Sequence, residues 1–91
     1  MPRPRMMRQI RHCPKSRFFK PQGIPLRSLA VVKLSSEEAE ALRLKNIRKL
    51  DQEQAAKEMN TSRSTFQRIL SSAYEKVSDA ITNGKAIEIE R

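Results

Sequence analysis

Aromatic residues and glycine are scarce in this 91-residue chain, which has three Phe, one Tyr, no Trp and two Gly. A core without many large rings must be built mainly from Leu, Ile, Val, Met and Ala, and this composition favours packed helices. A chain of this length forms one domain with a modest core, because small domains bury only about 60–65% of their unfolded surface. The sequence therefore predicts a small, mainly α protein without room for a large catalytic cleft.

Cysteine and histidine each occur once, as Cys13 and His12. No disulfide can form within one chain, and the two residues do not have the spacing of a structural zinc site. Nor is there a second histidine to complete a nucleophilic or metal site. We therefore expect neither enzymatic activity nor a catalytic residue, a bound metal or a cofactor.

Long apolar runs are also missing, and no stretch approaches the roughly 18 residues that a membrane-spanning helix needs. The N-terminus is basic but has no apolar segment of the kind found in secretory signal peptides. The sequence predicts a soluble cytoplasmic protein that does not enter a membrane.

Acidic residues are absent from residues 1–33, which hold nine of the 19 Lys and Arg residues. From residue 34 onward, ten basic residues balance ten acidic ones, so the net charge of +9 lies in the first third. All five prolines also lie there and prevent a long helix. Residues 1–33 are therefore interpreted as an extended basic arm attached to a neutral domain of residues 34–91.

The basic arm has the composition of a phosphate-binding segment, because each neutralised phosphate of a nucleic acid releases counterions. Arg outnumbers Lys six to three in the arm, and the guanidinium group suits bidentate phosphate contacts. A solubilising tail is the alternative interpretation. The candidate phosphate-binding residues of the arm are Arg3, Arg5, Arg8, Arg11, Lys15, Arg17 and Lys20.

Two helix starts carry the capping-box pattern, in which a residue before the helix and one three positions later exchange hydrogen bonds. Ser35 and Glu38 open a first helix that extends to about residue 46. Asp51 and Gln54 open a second helix of barely two turns, to about residue 59. The third helix follows Ser62, covers residues 63–82 and ends near Gly84, where a glycine cap is expected.

Helical spacing of apolar residues predicts the buried faces. In the first helix the buried arc consists of Ala39, Leu42, Ile47 and Leu50, with Leu44 on its flank and Glu40 facing solvent. In the third helix the buried stripe consists of Phe66, Ile69, Leu70, Ala73, Val77, Ala80 and Ile81. Residues 86–90 alternate apolar and charged side chains, so a short strand is a candidate there, with Phe18 and Phe19 as its partner.

Residues 52–71 have the pattern of a helix-turn-helix. Ala55 and Ala56 allow close helix approach, Asn60 tolerates the left-handed backbone of a tight turn, and a longer helix follows. That helix begins with polar residues, and residues 63–72 contain no acid, as expected for a surface that faces DNA. The alternative interpretation is the solvated face of an ordinary helical hairpin.

Several of these polar residues have the donors that base edges require. Arg pairs with guanine, and Gln pairs with adenine. The candidate base-reading residues are Arg63, Ser64, Thr65, Gln67 and Arg68. Ser62 and Ser71 are candidates for phosphate contacts.

The chain resembles a prokaryotic family of predicted DNA-binding proteins, in which a basic arm precedes a helix-turn-helix like region four of sigma factors. The resemblance covers nearly the whole chain, in the stretches MPRPR, FFKPQGIPLRSL, EEAEALRLKNI, QEQAAKEMNTSRSTFQRIL and NGKAIEIE. It implies a sigma-like helix-turn-helix whose SR-x-TF-x-R stretch falls on Ser62, Arg63, Thr65, Phe66 and Arg68. The family pattern often has glycine where this chain has Lys49, Asn60 and Gln67.

The expected function is therefore DNA binding in transcription regulation, with the third helix in the major groove. The expected partner is double-stranded DNA, with a second copy of the chain and the transcription machinery as further candidates. The alternative function is that of an RNA-binding or ribosome-associated protein that uses its positive charge without base-specific recognition of a duplex.

Overall fold

The structure is a computed structural model that describes residues 16–90. Three helices and a small sheet make up this part of the chain, which confirms a mainly helical fold. The elements in order are strand β1 (Phe18–Phe19), a 3₁₀ turn (Leu26–Ser28), strand β2 (Val31–Leu34), helix α1 (Ser36–Leu42), a π-helical turn (Arg43–Ile47), helix α2 (Gln52–Glu58), helix α3 (Arg63–Asn83) and strand β3 (Ala86–Ile89).

All three predicted helix starts are confirmed. The Ser35 hydroxyl accepts a hydrogen bond from the backbone N–H of Glu38 at 3.0 Å, and the Glu38 carboxylate accepts one from the N–H of Ser35 at 2.8 Å. Asp51 and Gln54 form the same reciprocal pair at the start of α2. Each pair satisfies N–H groups that have no acceptor within their own helix.

Left-handed residues end the helical segments. The φ angle is +63° at Lys49, +58° at Asn60 and +67° at Gly84. At Asn60 the chain forms a Schellman motif, because the N–H of Asn60 bonds to the carbonyl of Lys57 and the N–H of Thr61 bonds to that of Ala56. The predicted turn at Asn60 and the glycine cap at Gly84 are confirmed.

The sheet has the strand order β1-β3-β2. Strand β3 pairs with β1 in antiparallel fashion, with Phe19 opposite Ile87, which confirms the candidate strand and its partner. Strand β2 lies parallel to β3 on its other side, with Leu34 opposite Ile89. Strand β2 was not predicted, and it lies almost wholly within the segment interpreted as an arm. A parallel partner separated by three helices leaves no local pattern.

Two groups of buried side chains form the core. The larger group lies between α1, α2 and the first half of α3, and consists of Ala41, Leu44, Ala55, Ala56, Met59, Phe66 and Leu70. The smaller lies between the sheet and the second half of α3, and consists of Leu34, Ala73 and Ile89. Helix α3 therefore contacts both groups.

Three burial predictions were wrong around the π-helical turn and at the end of α3. Ile47 is 75% exposed, and Glu40, expected to face solvent, is buried and bonded to Arg43. For Ile47 the cause is the wider turn, in which the N–H of Arg48 bonds to the carbonyl of Arg43, five residues earlier. The extra residue per turn rotates Ile47 out of the predicted arc. Ile81, assigned to the buried stripe of α3, is 74% exposed and lines a depression beside Phe19 near the end of the helix.

Candidate nucleic-acid interface

Helix α2 lies against the first half of α3 through small side chains. Ala55 and Ala56 are buried and belong to the same core group as Phe66 and Leu70. Met59, at the end of α2, is fully buried in that group. Because the apolar side of α3 is used in this contact, its opposite side must face solvent at this end of the molecule.

The exposed side of α3 carries most of the predicted base-reading residues. Arg63, Ser64, Gln67, Arg68 and Ser71 are exposed, and we call these five residues the polar face. Thr65 differs, because it is half-buried on the flank that faces the start of α1. The structure therefore brings together four of the five predicted base-reading residues, along with Ser71, and sets Thr65 aside from them.

The hydroxyl groups at the start of α3 are engaged with one another. Ser62 accepts a hydrogen bond from the backbone N–H of Thr65 at 3.1 Å and donates one to the Thr65 hydroxyl at 2.9 Å. Ser62 thus caps the helix, and its hydroxyl is used in positioning α3. The first two N–H groups of α3, those of Arg63 and Ser64, lie where an α-helix provides no internal acceptor.

The polar face is positive and contains no acid. Its two arginines project near the N-terminus of α3, whose first turn contains no Asp or Glu. Helices α1 and α2 both have acids there, namely Glu37, Glu38 and Glu53. A cation at a helix N-terminus opposes the helix dipole. The arrangement is therefore unfavourable for the isolated helix and suits an anionic ligand.

A shallow depression borders the polar face and contains carboxylates of α1. Their position beside α3 was not predicted from the sequence. Its walls include Glu37 and Glu38 from α1 and Thr65, Arg68 and Ser72 from α3. No sequence pattern joins residues this far apart. The capping box was the one local signal that placed an acid at this end of α1.

Glu38 joins the two halves of α3. Its carboxylate accepts hydrogen bonds from the Ser72 hydroxyl and from the Lys76 ammonium group, the latter at 2.9 Å. Burial alone would raise the pKa of Glu38, but the hydrogen bonds from Ser72, the N–H of Ser35 and Lys76 outweigh it and lower the pKa below its ordinary value. Glu38 therefore stays ionised, and its charge is offset by Lys76.

The predicted phosphate-binding residues of the arm lie apart from the polar face where the structure describes them. The Nε atom of Arg17 donates to the carbonyl of Ile89 at 3.3 Å. The ammonium group of Lys20 donates to the carbonyl of Ile24 at 2.7 Å, and Lys20 lies beside Ile81 near the end of α3. At 1.5 Å per residue, the 17 residues from Arg63 to Ala80, another neighbour of Lys20, span about 25 Å.

The other predicted arm residues lie outside the described residues. They are Arg3, Arg5, Arg8, Arg11 and Lys15. The same is true of His12 and Cys13. Across residues 16–90, no three His, Cys, Asp or Glu side chains are grouped so as to hold a metal ion. Within that range, too, no helix has the length and apolar character to cross a membrane.

The whole chain matches a family model. The model, described as a protein of unknown function, DUF134, matches residues 1–91. A UPF0251 protein of Dehalococcoides mccartyi strain BAV1 is 58% identical over 90 residues, which cover 99% of this chain and 77% of the relative. UPF0251 proteins of Moorella thermoacetica and Halothermothrix orenii are 51% and 48% identical over 90 residues, which cover 99% of this chain and 60% and 67% of the relatives. No solved structure matches the chain.

Proposed function

We propose that this chain, which belongs to the DUF134 family, binds double-stranded DNA in a sequence-dependent manner as a transcriptional regulator. In this proposal α2, the turn over residues 59–62 and α3 act as a sigma-like helix-turn-helix. The observation that carries the proposal is the polar face, an exposed surface without acids at the N-terminal end of a long helix that is anchored by a short one.

The dimensions and donors of the polar face suit the major groove. An α-helix with its side chains is about 10–12 Å wide, and the groove is about 12 Å wide. Arg63 and Arg68 have the paired donors that match guanine O6 and N7, and Gln67 has the donor and acceptor that match adenine. Base edges are read from the N-terminal part of such a helix, and these three residues lie there.

Electrostatics favours the same ligand. A phosphate near the N-terminus of α3 would bond to the N–H groups of Arg63 and Ser64 and be attracted by the helix dipole. It would also remove the conflict between the dipole and the arginines. The basic residues of 1–33 add attraction to the phosphate backbone, which raises affinity for any duplex without specifying sequence.

Selection of binding sites from a randomised DNA duplex pool tests the proposal directly. The purified full chain is incubated with the pool at about physiological salt, and bound duplexes are sequenced over several rounds. We expect an enriched motif. Binding without any motif, or tighter binding to structured RNA than to duplex DNA at the same salt, would overturn sequence-dependent DNA binding.

Arginine variants then test the assignment to the polar face. We expect Arg63→Ala and Arg68→Ala to weaken binding to the selected site by about 10-fold or more, and binding to random duplex by much less, because a bidentate arginine–guanine contact discriminates by about 1–3 kcal/mol. The matched control is Arg27→Ala, an exposed arginine in the 3₁₀ turn before β2. Fluorescence anisotropy measures both affinities. Equal losses on both duplexes would assign these arginines to phosphate contacts instead.

A further inference from the structure

An apolar groove lies beside the second half of α3, away from the polar face. It encloses about 530 Å³ between α1, the π-helical turn, α3 and the ends of β2 and β3. Its walls are almost wholly apolar and include Leu42, Ile47, Tyr74, Val77 and Ile89. Ile47 and Tyr74 are 75% and 43% exposed, so this surface of the described structure leaves large apolar side chains in water.

The groove carries almost no net charge in a strongly basic chain. Among the described residues that line it, the charged ones are Glu40 and Arg43. Two hydrogen bonds of 2.9 and 2.8 Å join these side chains to each other, so their charges cancel. An acidic partner would be matched by unpaired cations and a basic partner by unpaired acids, but the groove lining offers neither. Two copies of a chain with a net charge of +9 repel least where such neutral faces meet.

The groove combines a protruding apolar side chain with an apolar depression. Ile47 projects at its rim because the π-helical turn rotates this residue out of the core. The same surface thus presents an apolar side chain that protrudes and an apolar depression that receives one. In a two-fold symmetric contact, each copy inserts its protruding residue into the depression of the other. We therefore propose that the groove is the interface of a homodimer of this chain, in which Ile47 of each copy packs into the groove of the other.

The groove lies on a side of α3 that allows two copies to bind one duplex together. This inference rests on the proposed DNA-binding function. At 3.6 residues per turn, the mean direction of Tyr74 and Val77 lies about 80° around α3 from the mean direction of the polar face. A two-fold axis parallel to that mean direction therefore brings the two grooves together and leaves both polar faces on the same side. The two α3 helices then run antiparallel.

The distance between the two polar segments in such a dimer also agrees with one turn of DNA. The four exposed base-reading residues lie within residues 63–68, which we call the polar segment. The middle of this segment, between residues 65 and 66, lies about 17–18 Å before Val77 along the helix. Antiparallel α3 helices that meet near Val77 place the two polar segments about 36 Å apart. One turn of B-DNA separates half-sites by about 34–36 Å, so each polar segment reaches the major groove on the same side of the duplex.

Sedimentation equilibrium without DNA tests the dimer independently of the proposed function. The full chain is examined from about 1 µM to about 300 µM, the range of moderate and weak affinities. We expect a monomer–dimer equilibrium, and Ile47→Glu should raise the dissociation constant at least about 30-fold, as for a residue at the centre of an interface. The matched control is Ile81→Glu, since Ile81 is 74% exposed but lines a different depression, beside Phe19.

Circular dichroism should show that both variants are folded, because Ile47 and Ile81 are both exposed. A wild-type chain that stays monomeric over the whole range, or an Ile47→Glu variant that dimerises as well as the wild type, would overturn the proposed interface. The selection experiment separates the two proposals. Two half-sites whose centres lie 10–11 base pairs apart, or about one turn, support the dimer on DNA. A single half-site that binds one chain argues against it, and the absence of any motif removes only the DNA-binding function.

Discussion

The two halves of α3 share one helix but expose different chemistry. The first half exposes Arg63, Ser64, Gln67 and Arg68 and packs its other side on α2. The second half exposes Tyr74 and lines an apolar groove with α1 and the sheet. A helix that served one partner would be expected to carry one kind of exposed surface. The difference matches the two tasks proposed for α3, recognition of DNA at one end and self-association at the other.

Glu38 lies at the junction of these halves and holds them against α1. The Ser72 hydroxyl and the Lys76 ammonium group both donate to its carboxylate, one from each side of the junction. Lys76 also donates to the carbonyl of Lys33 at 2.9 Å, at the end of β2. One buried carboxylate therefore holds both halves of α3 against α1, and we expect its substitution to have the largest effect on stability.

We expect Glu38→Gln to lower the free energy of unfolding by about 1–3 kcal/mol at pH 7, because it leaves the half-buried donors Ser72 and Lys76 with a weaker acceptor and Lys76 without its counter-charge. The pKa of Glu38 is lowered on folding from its ordinary value of 4.5. Its ionised form therefore stabilises the fold above about pH 4.5, and this contribution is lost as the pH falls through the folded pKa. Urea unfolding measured from pH 7 to pH 3 should show the difference between wild type and variant shrink with acidity.

The control for this prediction is Glu53→Gln, an exposed acid in the first turn of α2. It removes a favourable interaction with the helix dipole, which is worth about 0.3–1 kcal/mol at most. If both variants lost the same stability with the same pH dependence, Glu38 would be an ordinary helix-start acid and not the junction of the two halves.

Introducing one acid into each half of α3 tests whether the halves have separate tasks. We expect Gln67→Glu to weaken DNA binding about tenfold, since the new charge lies among phosphates and base acceptors. Asn83→Glu adds the same charge to an exposed position 16 residues later, about 24 Å along the helix and on the side away from the polar face and the groove. That distance exceeds the Debye length of about 8 Å at physiological ionic strength, so its effect should be small. Anisotropy titrations at a single salt concentration measure the DNA affinity of both variants. Equal losses of affinity would show that the two halves of α3 do not have separate tasks.

We expect the smallest effect on stability from substitutions of Lys49, which follows the π-helical turn that exposes Ile47. Its φ of +63° is costly for a residue with a Cβ atom. We expect Lys49→Gly to raise the free energy of unfolding by about 0.5–1 kcal/mol, after the greater flexibility of glycine in the unfolded chain is subtracted. Lys49→Ala removes the same charge but keeps the Cβ atom, so it should bring no such gain. Denaturant unfolding that shows equal gains for both would assign the effect to charge.

The start of every helix followed from the sequence because a cap involves residues only three positions apart. Ser35, Asp51 and Ser62 all cap the helices they were assigned to. The turn at Asn60 and the end of α3 at Gly84 are equally local. The exposure of Arg63, Gln67 and Arg68 also followed from the spacing of apolar residues along α3. These are the residues on which the proposed DNA contact depends.

Other features could not be predicted, because they depend on partners far away in the chain. Strand β2 exists through its pairing with β3, more than 50 residues later. The contact of Glu38 with Lys76 joins residues 38 positions apart. A regular helical wheel placed Ile47 in the core, and only a π-helical turn, which the wheel does not include, moved it to the surface.

The sequence by itself determined where the three described helices begin, where α2 and α3 end, and which side of α3 lacks acids and points outward, because caps and helical periodicity act over a few residues. Tertiary structure alone decided that Glu40 and Leu44 are buried, that β2 completes a sheet, and that Ile47 stands at the rim of an apolar groove. Those outcomes depend on how residues 34–47 pack against residues 55–70 and 73–89, and no local pattern in the chain encodes how such distant segments meet.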